Sequence, residues 1–262
     1  EKMKGDYEAI KEAPLSERMK FIGKVYAYGA TEFEKSESVQ EEVKKYNEMV
    51  YEKSDTIKDV YETTRSWSLE YLESIYNSLD ITFDRYYFES EMFERAVGIV
   101  ADGLKEGIFE KSQGAVIFKG SDHDLHDRVF LNSKGYPVYE AKDLALAEKH
   151  FSEFNPDAIY HVIGPEQADY LKVVFKALES TLPESTGKEF HLPYGWVTLK
   201  GGKMSSRTGN VVTAEDLIGE VKDSIREHME TSEIKAKLSK EEKADTVEKV
   251  SMGAVKYAFL KT

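Results

Sequence analysis

One stretch of the chain concentrates groups that bind anions: Gly201-Gly202-Lys203-Met204-Ser205-Ser206-Arg207-Thr208-Gly209-Asn210-Val211. Two glycines let the backbone turn sharply. Lys203 supplies a point charge and Arg207 a planar fork, with Ser205, Ser206 and Thr208 hydroxyls between and around them. Only Met204 and Val211 suit a core. This chemistry describes a clamp for a polyphosphate. The same composition also fits a solvated basic loop, and residue types alone leave both open.

A second stretch, Ser121-Asp122-His123-Asp124-Leu125-His126-Asp127, gathers two histidines and three aspartates within seven residues. Such a set can hold a divalent metal, but it equally describes an exposed acidic loop, which is the favoured reading, and no metal ligand is assigned. A third candidate is Tyr139-Glu140-Ala141-Lys142-Asp143, whose tyrosine and aspartate lie four residues apart where a strand is expected to pass into a helix. There Asp143 can also serve simply as a helix cap and Tyr139 as core. A fourth is the turn Gly164-Pro165-Glu166-Gln167. His161, inside the strand before that turn, reads as structural.

The elements that must hold these groups follow from periodicity. Leu15, Met19, Ile22, Tyr26, Ala30 and Phe33 recur at helical spacing, with Ser16 near the start. Val39, Val43, Tyr46 and Val50 repeat the pattern, and a third helix runs from about Asp55 through Trp67 to Leu79. Ile81, Phe83, Tyr86 and Tyr87 suggest a short extended piece. Ser90 can cap a helix that Gly107 ends. Ala115–Phe118 and Arg128–Leu131 read as strands, Ser133-Lys134-Gly135 as a turn and Tyr136–Tyr139 as a further strand. From there strand and helix alternate. Glu140 to Phe154 is helical, Ala158–Ile163 is a buried strand, and a helix carries Leu171, Val174, Phe175 and Leu178. Gly195–Leu199 is a strand leading into the clamp. Thr213, with Asp216 in capping-box position, starts another helix. Alternation of this kind favours a parallel sheet with covered faces. Ligands in such sheets sit at the carboxyl ends of strands, which puts residues 139–143, 164–167 and 201–207 on one rim.

The bulk numbers bound the answer. A chain of 262 residues can bury a substantial core, and its net charge of −13 argues against a broad basic face for nucleic acid. Zero cysteine excludes a disulfide scaffold, a thiolate metal site and a cysteine nucleophile. No apolar run reaches membrane-spanning length and no signal-peptide pattern is present, so a cytoplasmic protein is expected. The chain starts at Glu1 and ends within an apolar helical pattern, which reads as a piece of a longer protein.

Lys203-Met204-Ser205-Ser206 resembles the KMSK signature of class I aminoacyl-tRNA synthetases. The longer KMSSRTGNVVTAEDLI resembles the form found in arginyl-tRNA synthetases. Ser206 stands where the second lysine would be, and Arg207 is the nearest substitute for its charge. Phe83-Asp84…Glu89-Ser90 is similar to an FD…ES element of that family. Tyr139…Asp143 is similar to its YxTxD element, with Ala141 in place of threonine, and Gly164–Gln167 to its G-x-[ED]-[QH] turn. His123 and His126 have the spacing of the class's HIGH motif, but Leu125 stands where glycine is needed for the nucleotide to approach the backbone. The loop also lies too late in the chain, and the motif is rejected there.

The resemblance implies an α/β fold: a partial Rossmann-like parallel sheet with a helical connective insertion and C-terminal helices. It implies a mostly helical connective region at 1–107, a small β insertion at 108–135, the C-terminal half of a Rossmann-like catalytic domain with the KMSK-type loop at 136–213, and helices at 214–262 leading toward a tRNA- or anticodon-binding domain. The implied activity is ATP-dependent activation of L-arginine to arginyl-adenylate and transfer to tRNA(Arg), with Mg2+ arriving as part of the ATP complex. Lys203, Ser205 and Arg207 would be catalytic, and Lys203, Met204, Ser205 and Ser206 would bind ATP. Tyr139, Asp143 and Gln167 would bind arginine, a planar five-donor cation that Asp143 can pair through two hydrogen bonds and Tyr139 can face. A monomer is expected. With no HIGH sequence, the 262 residues alone are expected to be inactive. Another class I synthetase, or a non-catalytic synthetase-like binding module, are the alternatives.

Overall fold

A computed structural model describes residues 4–195, 213–231 and 238–261. The chain divides into two compact units, Glu1–Asp84 with Val197–Thr262, and Arg85–Trp196. The first opens with four helices: α1 (Lys4–Ile10), α2 (Leu15–Lys35), α3 (Glu37–Tyr51) and α4 (Asp55–Ser78). Pro14 precedes α2 and Ser16 is its second residue. Ser36 caps α3, its hydroxyl accepting from the Val39 N–H at 3.5 Å. The expected apolar stripes form these helices but are only half covered. Neither α2 nor α3 has a fully buried residue. Tyr26, Val43, Tyr46, Val60, Tyr61 and Leu72 are exposed. Burial centres on Trp67 of α4, whose ring lies 5.9 Å from that of Tyr7, with the Arg18 guanidinium 5.3 Å above it.

No strand forms at residues 81–88, where a short extended piece was expected and where the first unit ends and the second begins. Helix α5 (Glu89–Lys105) starts after Phe88 without a side-chain cap, so Ser90 lies inside it. Gly107 follows its end at φ +78°, the left-handed conformation that glycine tolerates best. Strands β1 (Glu110–Ser112), β2 (Ala115–Phe118) and β3 (Arg128–Leu131) form an antiparallel sheet in that order. Gln113 and Gly114, both at positive φ, make the two-residue turn joining the first pair. Glu-Lys-Ser has no apolar alternation, which is why β1 escapes a periodicity argument. Phe130 packs against Phe109 and Phe118, with ring centroids 4.9 and 6.2 Å apart.

Residues 136–139 do not form the expected strand. Pro137 makes an isolated bridge to Leu131, and α6 (Tyr139–Phe154) begins at once. Proline has no N–H to extend a ladder. Asn155, at φ +42°, ends the helix. Strand β4 (Ile159–Ile163), helix α7 (Ala168–Thr181) and strand β5 (Glu189–Pro193) follow, with β4 and β5 paired in parallel. This is the expected alternation, and the chain adopts the α/β class. The parallel sheet has two strands among the described residues, and only one of its faces is covered. Ile159, His161 and Ile163 are half-buried, whereas Tyr160, Val162, Phe190 and Leu192 are exposed. The core of the unit runs from Val100 of α5 through Phe130 and Leu144 to Val173 and Leu178 of α7, all fully buried.

Helices α8 (Ala214–Thr231) and α9 (Lys240–Leu260) belong to the first unit, where Ile218 packs with Met252 and Val255. Thr213 and Asp216 cap α8 reciprocally. Asp216 N–H donates to the Thr213 hydroxyl and Thr213 N–H to the Asp216 carboxylate, each at 3.1 Å. Ser239 and Glu242 do the same for α9.

Candidate functional site

The described part of the site is built where α6 and α7 start. Tyr139 is the first residue of α6 and 65 % exposed, with Lys142 Nζ 5.5 Å from its ring centroid. Asp143 lies one helical turn later and so on the same side of the helix. The pair therefore shares one helix face, not a strand-to-helix turn as expected from sequence.

Asp143 is mostly buried and accepts a hydrogen bond from the Tyr170 hydroxyl at 2.6 Å. Burial pushes its carboxyl above the usual range, against the lowering effects of the Tyr170 hydrogen bond and nearby His161. Glu140 and Glu89 add to the rise, since each disfavours another negative charge. Tyr170 is pushed well up by burial and by the Asp143 carboxylate, so it remains the proton donor of the pair.

The neighbouring acids already have cations. Arg128, at the start of β3, donates to Glu140 at 3.2 Å and sets its guanidinium 5.3 Å over the Tyr170 ring. Lys142 donates to Glu89 at 2.8 Å and ties α6 to α5. No Lys or Arg among the described residues is paired with Asp143. The site is thus a partly desolvated carboxylate whose acidic neighbours already have ion-pair partners, with an exposed aromatic face one turn away. Such an arrangement suits a planar organic cation.

Gln167 ends the 3₁₀ turn Pro165–Gln167 that opens α7, and its side chain is exposed. It is three residues ahead of Tyr170 on the same chain turn. Among the described residues, no hydrogen bond joins Tyr139, Asp143 and Gln167 directly; Tyr170 is the link between Asp143 and the Gln167 segment. Tyr170, Arg128 and Glu140 are the participants that sequence reasoning missed. The only signal for Tyr170 was its position one turn beyond Gln167.

His161 pairs its Nε2 with Glu189 at 2.5 Å and packs on Phe175 at 5.0 Å, which bridges β4, β5 and α7. In the acidic loop, Ser121 N–H donates to Asp127 at 2.9 Å, and His123 stacks on Phe118 at 5.6 Å. Lys203, Met204, Ser205, Ser206 and Arg207, and the strand expected at Gly195–Leu199, lie outside the described residues apart from Gly195.

Two solved structures share this fold. An arginyl-tRNA synthetase from Plasmodium falciparum aligns with a TM-score of 0.62 at 20 % identity, over 86 % of this chain and 38 % of that one. A putative arginyl-tRNA synthetase from Campylobacter jejuni gives 0.51 at 18 % identity, over 71 % and 42 %. At these identities the likeness is one of fold alone. The sequence pattern described as "tRNA synthetases class I (R), catalytic domain" matches residues 2–262, so the chain belongs to that family. Among curated relatives, the arginine–tRNA ligase of Bdellovibrio bacteriovorus is 34 % identical over 203 residues, 78 % of this chain and 35 % of the relative. That of Clostridium perfringens is 28 % identical over 257 residues, 98 % of this chain and 44 % of the relative. The chain spans less than half the length of these curated relatives. None of the helices described is long and apolar enough to cross a membrane.

Proposed function

We propose that the chain is the central and C-terminal part of an arginine–tRNA ligase catalytic region. The observation that carries this reading is the half-buried Asp143, hydrogen-bonded by Tyr170 and unpaired with any described lysine or arginine. Arginine's guanidinium supplies that cation, pairing with Asp143 while Tyr139 covers its face and Gln167 adds a polar contact from α7. Residues 136–213 form the second half of the catalytic domain, 1–107 a helical connective region, 108–135 a small β insertion, and 214–262 lead toward the tRNA-binding part.

In the activation step a carboxylate oxygen of arginine attacks the α-phosphorus of ATP. The bond to the bridging oxygen breaks, pyrophosphate leaves and arginyl-adenylate forms. A ribose hydroxyl at the tRNA 3′ end then attacks the arginyl carbonyl and AMP leaves. No covalent bond to the protein forms, so catalysis is positioning and charge stabilisation. Lys203 neutralises the departing pyrophosphate, Arg207 supplies the charge that Ser206 lacks, and Ser205 and the Met204 segment hold the phosphates. Mg2+ enters with ATP and stays with its phosphates. The acidic balance of the chain points to tRNA-gripping surfaces elsewhere in a longer protein, which acts in the cytoplasm as a monomer. The 262 residues alone, lacking a HIGH sequence, turn over poorly.

The test is arginine-dependent ATP–pyrophosphate exchange in the full-length protein with cognate tRNA, comparing wild type with Asp143→Asn and Lys203→Ala. Lys203→Ala is expected to lose about 10²–10³ in rate, as for loss of one transition-state contact. Asp143→Asn is expected to lose arginine selectivity. Exchange driven by a different amino acid would sink the arginine pocket, and no exchange with any amino acid would sink the ligase reading altogether.

A further inference from the structure

We infer that Tyr170 is a positioning residue for amino-acid selection: by donating its hydroxyl to one oxygen of Asp143, it orients that carboxylate and keeps the other oxygen available for a guanidinium. The inference rests on the arginine-pocket reading above and adds to it a residue from a different helix.

The geometry is a chain of contacts that runs through three elements. Glu140 and Asp143 are both on α6, three residues apart. Arg128 of β3 donates to Glu140 at 3.2 Å and lies 5.3 Å over the Tyr170 ring. Tyr170 of α7 closes the path with its 2.6 Å bond to Asp143 Oδ2. The phenol is therefore clamped on its face by a guanidinium that is itself anchored, so its hydroxyl has a fixed aim. A carboxylate can accept several hydrogen bonds, while a phenol donates one. Tyr170 therefore occupies one oxygen of Asp143, and Oδ1 keeps its full accepting capacity. A bidentate or forked cation contact then has a defined approach.

Electrostatics give the same contact a second consequence. Asp143 faces Glu89 from α5, Glu140 from its own helix, His161 from β4 and Tyr170 from α7, and burial disfavours its charged form. Tyr170 opposes that rise. Without the hydroxyl, Asp143 holds its proton to higher pH, and a protonated acid pairs poorly with a guanidinium.

The experiment measures ATP–pyrophosphate exchange in the full-length protein across about pH 5 to pH 9, for wild type, Asp143→Asn, Tyr170→Phe and Tyr170→Gln. Phenylalanine keeps the ring under Arg128 and removes only the donor; glutamine restores a donor without the ring. For Tyr170→Phe the arginine KM is expected to rise about tenfold, the cost of one hydrogen bond to a charged group. Its kcat and the KM for ATP are expected to stay within about twofold of wild type. The acid limb of kcat/KM for arginine is expected to move up by about one pH unit, with partial return in Tyr170→Gln. An arginine KM and acid limb equal to wild type in Tyr170→Phe would overturn the inference. So would a proportional fall in kcat and ATP affinity, which marks a packing role, and if Tyr170→Phe fails to fold, an arginine KM and acid limb equal to wild type in Tyr170→Met, which also lacks a donor, decide against it. An Asp143→Asn variant with unchanged arginine KM would sink the underlying pocket reading instead.

Discussion

In Arg85–Trp196, the rings of Phe109, Phe118 and Phe130 meet each other and join Val100, Leu144 and Leu178 in a continuous core. In the other unit, α2 and α3 bury no side chain fully, and packing among the described residues gathers in small groups around Trp67 and around Ile218 and Met252. Both regions read well from sequence period, yet only one converts period into burial. The candidate pocket is carried by the well-packed unit, with Asp143 next to the fully buried Leu144 on α6 and Tyr170 next to Leu171 on α7. Rigid neighbours of this kind hold a polar site to narrow tolerance, which loops and half-covered helices do not.

The contrast can be broken by mutation. Phe130→Ala is expected to be the most damaging, at about 3–5 kcal/mol in urea unfolding, because the cavity lies in a core with no room to collapse. A cost no larger than that of an exposed position would overturn the picture of a tight unit. Asp143→Asn sharpens the comparison from the opposite side. Burial raises the folded pKa of Asp143 above its unfolded value. The unfolded chain therefore releases this proton first. Stability falls as pH rises from the ordinary aspartate range to the raised value, and stays reduced above it. The asparagine side chain of this variant keeps an acceptor for Tyr170 without the charge. Melting near pH 7 is expected to show the variant more stable than wild type, with the advantage gone near pH 3. A variant less stable at both pH values would contradict the assigned burial cost.

In the helical unit the expected effects are smaller. Thr213→Ala removes the hydroxyl that accepts from Asp216 N–H and is expected to cost about 1 kcal/mol, seen as a drop in helicity and melting temperature. Tyr46→Ala, at an exposed position of α3, is expected to change stability by no more than about 0.5 kcal/mol. Hydrogen exchange completes the series: amides of α2 and α3 are expected to exchange faster than those of α6 and α7. Equal protection would remove the distinction between the two regions.

Much of this was legible in the sequence. The stripes from Leu15 to Phe33, Val39 to Val50 and Ile57 to Leu79 place α2, α3 and α4 because a 3.6-residue period is a local property. The Thr213–Asp216 cap and the helix end at Phe154 were equally local. Strand β1 was not legible, since Glu110-Lys111-Ser112 carries no apolar alternation and is a strand only because β2 pairs with it. The opposite error arose at Tyr136–Tyr139, where aromatic and branched residues suggest a strand that Pro137 limits to one bridge.

The sequence by itself determined the helical periods, the turn and cap chemistry, and the family, because these reside in neighbouring residues and in motifs a few positions long. It also singled out Asp143 as a candidate acid. Only the tertiary structure decided that Asp143 is half-buried, that Glu140 and Glu89 lie near it with Arg128 and Lys142 as their ion-pair partners, and that Tyr170, 27 residues away, supplies its hydrogen bond. Desolvation and long-range pairing depend on which elements pack together, and no local pattern encodes that.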